Sequence, residues 1–233
     1  AAVALENNLL YRDIQNLFEG FVKASVTAIE SRDPTTFGHS ERVAKLTVGL
    51  AEVVDRSDTG PHRDIHFTPQ DIREIRYASI LHDFGKVGVR EEVLVKAKKL
   101  YPAQLEFIRK RFQYIHKVLE LDAYRKKLDH VLRNGNLNFE AFFAAIDTAQ
   151  EKDLKELDAF LQSILQANEP TVLPEKTSEK LVEIAGWTFH DPTGPTEPLI
   201  SPEELRLLSI PKGSLDPDER LQIESHVIHS FRF

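Results

Sequence analysis

The sequence predicts an all-α protein, because apolar residues recur at helical spacing, helix-starting motifs precede several of these runs, and only one short stretch favours strands. Residues 9–30 carry apolar side chains close to a 3.6-residue period. TPQD at 68–71 and SPEE at 201–204 are typical helix starts, with a hydroxyl side chain as the cap and a proline in the first turn. WTFHDPTGPTEPLI at 187–200 has a turn signal between short extended runs and predicts a small β-hairpin.

The second predicted helix follows a polar break, SRDPTTFGHS at 31–40, which contains Pro34 and Gly38. A helix that starts near His39 would direct this imidazole to the same face as Val43, four residues later. The apolar stripe of this helix consists of Val43, Leu46, Leu50 and Val54.

The third predicted helix places a polar pair beside apolar residues. The run that begins after Thr68 ends with His82 and Asp83, and Gly85 can stop the helix there. Lys86 lies one turn beyond the pair if the helix continues. A charged pair against apolar residues is costly unless it has a partner, such as a metal ion, a hydrogen-bond network or water at a helix end.

The composition bounds the location and the partners of the protein. It has 233 residues, a net charge of −7 and no cysteine, so a metal would need His and carboxylate ligands. No run of eighteen apolar residues is present, which predicts no membrane span and, with the missing cysteine, a cytoplasmic protein. The net negative charge argues against DNA binding. The chain begins with Ala and has no Met, which indicates a piece of a longer protein.

Two stretches of the chain are similar to each other. KAKKLYPAQLEFIRKRF at 96–112 and KGSLDPDERLQIESHV at 212–227 both place a leucine and a proline before a predicted helix. The second stretch has His226 where the first has Arg111. The residues between them include a predicted helix at 139–166 and read as a mainly helical insertion without recognisable chemistry.

Four places in the sequence could carry chemistry together: His39, the pair His82–Asp83, Lys86 and His226. Imidazole and carboxylate suit zinc, iron, manganese or nickel, and a carboxylate can bridge two ions that clamp the oxygens of a phosphate. Taken singly, each is more typical of an ordinary residue, such as a helix-start histidine or a solvated lysine. From these residues alone, two interpretations stay open: a metal site and an ordinary helical surface.

Three longer stretches of the sequence are more specific than these single residues. They are RDPTTFGHSERVAKLT at 32–47, LHDFGKVGVREEVLVKAKKL at 81–100 and LDPDERLQIESHVIHSFRF at 215–233. These words resemble the HD-GYP family, a branch of the HD phosphohydrolases, and the resemblance implies an HD-domain helical bundle with a mainly helical insertion. The implied divisions are an N-terminal linker or signalling helix at 1–30, an HD-GYP core at 31–100 and 211–233, and the insertion at 101–210.

The resemblance implies a metal site. His39, His82, Asp83 and His226 match the family's metal ligands, with Asp83 bridging two divalent ions, usually iron and alternatively manganese. Thr35 stands where members with three metals carry a glutamate, so two ions are expected.

The resemblance also implies how the substrate is held. Asp83 and Lys86 match the catalytic residues, and Lys86 matches the lysine that contacts the scissile phosphate. Lys96 begins an altered form of the family's Lys-Pro-Gly-Lys-Leu turn and is predicted to bind substrate. Lys98 and Lys99 would add positive potential for an anionic substrate, although a basic run is usually solvated surface.

The end of the chain departs from the family pattern. The His-His-Glu and Gly-Tyr-Pro words and a downstream aspartate ligand do not appear, and the chain stops at Phe233, where they would follow. An intact protein without them would lack ligands for the second ion.

The activity that the resemblance implies is hydrolysis of cyclic di-GMP to pGpG and GMP by a metal-bridging hydroxide. Two alternatives stay open: a non-catalytic or weakly active cyclic-dinucleotide receptor or signalling module, and an HD hydrolase of another nucleotide. The apolar stripe of residues 9–30 fits a homodimer through the N-terminal helix or a connection to an upstream sensor domain, and core packing explains it equally well.

Overall fold

The structure, a computed structural model, is all-α apart from one small antiparallel hairpin, which confirms the predicted fold class. Within the part of the chain that it describes, no helix is both long and apolar enough to cross a bilayer. The described residues are 2–32, 36–135, 138–190 and 194–232.

The chain divides into two compact units, Ala1–Val95 with Pro217–Phe233, and Lys96–Asp216. The predicted division into a linker helix, a core and an insertion stays a prediction. In chain order, the first unit begins with α1 (Ala2–Glu30), α2 (His39–Asp55), α3 (Pro69–Leu81), the 3-10 helix Phe84–Gly88 and α4 (Glu91–Leu94). The second unit consists of α5 (Pro102–Asn134), α6 (Phe139–Ala167), α7 (Glu175–Gly186), β1 (Thr188–His190), β2 (Thr196–Pro198) and α8 (Pro202–Leu208). The last helix, α9 (Pro217–Arg232), belongs to the first unit.

The starts of α3 and α8 show why local signals predicted these helices. The Thr68 hydroxyl accepts a hydrogen bond from the Asp71 N–H at 3.2 Å, and the Asp71 carboxylate accepts one from the Thr68 N–H at 2.7 Å. Ser201 and Glu204 form the same reciprocal arrangement at α8. Such capping boxes satisfy N–H groups that have no partner inside the helix, so both predicted starts are confirmed.

The core of the first unit lies where α1, α2 and α3 meet. Its buried members are Val22, Ala44 and Ile80, one from each helix. Ile80 comes two residues before His82, so the packing of α3 fixes the end that carries the His-Asp pair. On α1, Leu17 and Phe21 remain exposed, and the homodimer and the upstream sensor domain stay predictions.

The second unit has the larger core, built mainly between α5 and α6 and closed by α7, α8 and the hairpin. The strands β1 and β2 pair antiparallel, with Thr188 opposite Pro198 and His190 opposite Thr196, which confirms the predicted hairpin. The tip of its predicted turn, residues 191–193, lies outside the described residues. The most deeply buried core side chains include Ile108, Ile115, Phe160, Ile164, Leu181, Ile184, Leu199 and Leu208.

One cation is buried in this second unit. Lys99 has 0% of its surface exposed, and its ammonium donates a hydrogen bond to the carbonyl oxygen of Leu208, the last residue of α8, at 3.1 Å. That carbonyl has no partner within its own helix, so Lys99 satisfies the end of α8. The expectation that Lys99 adds positive surface potential is therefore wrong, because its charge is enclosed in the core.

We expect Lys99→Met to be at least as stable as the wild type at pH 7. Burial lowers the pKa of Lys99 below its usual value, because the ammonium loses hydration. The unfolded chain therefore holds this proton more tightly, and the wild-type free energy of unfolding should rise as pH increases from the lowered pKa toward the usual value. Urea unfolding between pH 7 and 10 should show that rise in the wild type and not in Lys99→Met.

Lys98→Met is the matched control for this experiment. The Lys98 ammonium pairs with Glu169, and both side chains are about half exposed, so this variant should keep the alkaline rise of the wild type. A Lys99→Met protein less stable than the wild type by more than about 2 kcal/mol at pH 7 would show that the hydrogen bond to Leu208 outweighs the cost of burying the charge.

Candidate metal centre

Three segments of the first unit carry the predicted metal ligands. His39 is the first residue of α2, His82 caps the end of α3, Asp83 follows it directly, and His226 lies on α9. His39, His82 and Asp83 each offer one ligand atom, and these atoms all lie within 4.8 Å of one another. The rings of His39 and His82 meet edge to face with their centroids 5.4 Å apart.

His226 joins this cluster through Asp83. Its Nε2 lies 3.5 Å from Asp83 Oδ1, and the Nε2 of His82 lies at the same distance from the same oxygen. Two imidazoles from helices more than 140 residues apart in sequence therefore face one carboxylate oxygen.

Backbone carbonyls determine which ring nitrogen of each histidine faces the cluster. The Nδ1 of His82 lies 2.8 Å from the carbonyl oxygen of Ser79, and the Nδ1 of His226 contacts the carbonyl oxygen of Ile223. A carbonyl oxygen only accepts, so each Nδ1 carries a hydrogen, and Nε2 is the ring nitrogen that faces Asp83.

This set of donors fits a divalent cation. With a hydrogen on Nδ1, an imidazole can offer its Nε2 lone pair to a metal ion, and the Asp83 carboxylate offers a negatively charged oxygen beside it. Metal-binding histidines usually donate their second N–H to a carbonyl or a carboxylate, as His82 and His226 do here. A His/Asp group that could hold a metal ion is therefore present in the described residues.

Lys86 occupies the other side of Asp83. Its ammonium lies 2.8 Å from Asp83 Oδ2, and both side chains are mostly buried. Burial alone would raise the pKa of Asp83, but the hydrogen bond from Lys86 and the nearby charges of His82, Lys86 and His226 together lower it below its usual range. Asp83 is therefore a carboxylate at neutral pH, the form that binds metal.

The turn after α3 differs from the expectation that Gly85 simply ends the helix. The α-helix stops at Leu81, and the chain continues as the 3-10 helix, which brings Lys86 back onto Asp83 three residues earlier. A Cβ on Gly85 would lie 1.9 Å from the carbonyl oxygen of His226 and 2.5 Å from the backbone nitrogen of Ser230. Gly85 is therefore needed for the close approach of α9.

A hydrogen bond reinforces this approach. The Gly85 N–H donates to the hydroxyl of Ser230 at 2.8 Å, although the two residues are 145 positions apart. The only sign of this contact in the sequence is a glycine two residues after a predicted ligand.

Two residues at the end of α1 also hold the site, and the sequence reasoning missed both. The Glu30 carboxylate accepts hydrogen bonds from the backbone N–H groups of Gly38 and Ser40, on either side of His39. The Arg32 guanidinium donates to backbone carbonyls of the turn that carries Lys86. A glutamate that ends a helix just before a polar loop is the available signal for Glu30, and Arg32 begins the family-like stretch at 32–47.

The comparison with protein-family models decides the family. Residues 36–185, more than half of the chain, match the HD domain. The chain belongs to the HD domain family. The matched segment of this HD domain protein includes His39, His82, Asp83 and Lys86 and ends before His226.

Curated relatives of this HD domain protein are named as cyclic-dinucleotide phosphodiesterases. The 3'3'-cGAMP-specific phosphodiesterase 3 of Vibrio cholerae is 32% identical over 107 residues, which cover 44% of this chain and 21% of the relative. The cyclic di-GMP phosphodiesterase of Thermotoga maritima is 32% identical over 80 residues, which cover 34% of this chain and 19% of the relative. The chain thus spans about a fifth of the length of these relatives. No solved structure gives a significant match.

Two other predicted positions of the HD domain protein belong to the second unit or fall outside the described residues. Lys96 belongs to the second unit, where its ammonium lies 4.4 Å from the centre of the Tyr101 ring, and its role in substrate binding stays a prediction. Thr35, the position that suggested two ions instead of three, lies outside the described residues.

Proposed function

We propose that this chain carries the core of an HD-GYP-type, metal-dependent phosphodiesterase that hydrolyses cyclic di-GMP to pGpG and GMP. The observation that carries the proposal is the group His39, His82 and Asp83, whose ligand atoms lie within 4.8 Å of one another, with His226 facing the Asp83 carboxylate at 3.5 Å. The names of the Vibrio and Thermotoga relatives support a cyclic dinucleotide as the substrate.

In this proposal His39, His82, Asp83 and His226 contribute ligands to a centre of two divalent ions, iron by preference and manganese as the alternative. When bound, such ions supply an activated water and neutralise the negative charge that develops on the phosphate. A bridge that uses both oxygens of Asp83 would require Lys86, which is paired with Oδ2, to exchange that oxygen for another anion.

The non-bridging oxygen of the scissile phosphate is the anion that suits Lys86. The ammonium is a compact charge with three donors, and its mostly buried position keeps its field strong. Hydrolysis adds water across one P–O bond of the cyclic substrate, and Lys86 would stabilise the phosphoryl oxygens as that bond breaks. The carbonyls of Ser79 and Ile223 hold the Nδ1 side of the His82 and His226 rings, so Nε2 is the nitrogen available to a metal ion.

The experiment that tests this function uses the 233-residue chain purified without oxygen. Its metal content is measured by elemental analysis, and its products are separated by chromatography after incubation with cyclic di-GMP, 3'3'-cGAMP or GTP. Metal loading with release of pGpG from cyclic di-GMP is the expected result. Metal-loaded protein that cleaves only GTP indicates a hydrolase of another nucleotide, and tight cyclic di-GMP binding without turnover indicates a receptor.

A further inference from the structure

We infer that Glu30 and Arg32 are positioning residues that fix the distance between the two walls of the metal centre. The inference rests on the proposed function, since it assigns these residues to the site that would bind the metal. One wall is the start of α2 with His39, and the other is the turn with Asp83 and Lys86.

Glu30 fastens the first wall. Its Oε2 accepts the Gly38 N–H at 2.8 Å and its Oε1 accepts the Ser40 N–H at 3.0 Å, so one carboxylate holds the backbone on both sides of His39. Glu30 and Ser40 are 9% and 3% exposed. Gly38 has a φ of 67° and no side chain, so it cannot cap the helix itself. The position of His39 at the helix start therefore depends on a residue of α1.

Arg32 fastens the second wall. Its guanidinium donates to the carbonyl oxygens of Val87 at 3.3 Å and Val89 at 3.0 Å, with a longer contact to that of Lys86 at 3.4 Å. These carbonyls belong to the 3-10 helix and its end, where carbonyl groups need outside donors. The planar, five-donor guanidinium suits several carbonyls at once, which a lysine ammonium at this position would match poorly.

The two attachments lie two residues apart at one end of α1. Glu30, Ser40, Asp83 and Lys86 also line one narrow crevice, so the two walls and their attachment share one space. Because the link is so short, a shift of either attachment changes the separation between His39 and Asp83. The contacts of Glu30 and Arg32 therefore set the geometry of the metal centre, in addition to capping helix ends.

Metal binding by single variants separates positioning from stability. Glu30→Gln keeps the size of the side chain but replaces one acceptor oxygen by a donor group, and Arg32→Lys keeps the charge but loses the planar fork. Both should bind Mn²⁺ about 10- to 100-fold more weakly than the wild type, the usual effect of losing an outer-shell partner. With Co²⁺ as the probe, the visible absorption of the bound ion should also change in energy and intensity.

Asp71→Asn is the matched control. Asp71 caps the start of α3 with the same carboxylate-to-N–H chemistry, but it lies eleven residues before His82. This variant should lower the melting temperature by an amount similar to Glu30→Gln while leaving the Mn²⁺ affinity and the Co²⁺ spectrum unchanged. Circular dichroism confirms that each variant is folded, and Arg32→Lys provides the readout if Glu30→Gln is not.

The outcomes distinguish this inference from the function on which it rests. Wild-type protein that binds neither Mn²⁺ nor Co²⁺ overturns the proposed function and the positioning inference together. Wild-type protein that binds both metals, with folded Glu30→Gln and Arg32→Lys variants of equal affinity and identical Co²⁺ spectra, overturns the positioning inference alone.

Discussion

Replacing Asp83 with alanine is expected to abolish metal loading of the purified chain. The variant removes the carboxylate that His82 and His226 both face at 3.5 Å, together with the ion pair that holds Lys86. Neutral imidazoles alone bind hard divalent ions weakly, so the Mn²⁺ affinity should fall by at least about 100-fold. Isothermal titration with Mn²⁺ and elemental analysis of the purified variant measure this loss.

Asp129→Asn is the control for Asp83→Ala. Asp129 pairs with Arg133 on the exposed surface of α5 in the second unit, so its loss should not change the metal content. An Asp83→Ala protein that keeps its full metal complement would refute the role assigned to Asp83, because some other donor would then have to complete the site.

Replacing Gly85 with alanine is expected to destabilise the first unit by about 2–3 kcal/mol and to weaken metal binding. The new Cβ would lie 1.9 Å from the carbonyl oxygen of His226 and 2.5 Å from the nitrogen of Ser230. Both are backbone atoms of α9, so the clash is relieved only if α9 moves away and takes His226 with it. Urea unfolding measures the stability, and Mn²⁺ titration measures the displacement of His226.

Gly88→Ala is the matched control in the same 3-10 helix. Its Cβ would approach the end of the His229 side chain at 3.1 Å, and a side chain can rotate away where a backbone cannot. We expect a loss of less than about 1 kcal/mol and an unchanged Mn²⁺ affinity. Equal stability and equal metal affinity for Gly85→Ala and the wild type would show that α9 can approach the turn without this glycine.

Helix starts were predicted well because their determinants are close in sequence. Thr68 with Asp71, and Ser201 with Glu204, cap their helices across three residues, so the pattern of letters contains the whole interaction. The start of α2 was also placed near His39, but its cap comes from Glu30 on another helix. The local sequence shows that this glutamate ends a helix before a polar loop, but not that it caps α2.

The ligands of the candidate centre were named from their resemblance to a family, while their surroundings were not. The words around His82 and His226 singled them out, yet nothing in those words said which ring nitrogen faces the site. That choice depends on the carbonyls of Ser79 and Ile223, each one helical turn earlier. Lys99 was misjudged for a related reason, since a basic run looks solvated until the core around it is known.

The sequence by itself determined the helical class of the protein, the hairpin, and the identity of the residues that could bind metal. Hydrophobic periodicity, helix capping and sequence motifs each depend on residues that are close together in the chain. Only the tertiary structure decided that Glu30 contacts the start of α2, that Arg32 contacts the turn after α3, and that Gly85 admits α9. Those contacts join residues as far apart as Gly85 and Ser230. Their geometry arises from packing, which depends on shape in three dimensions and not on the order of the letters.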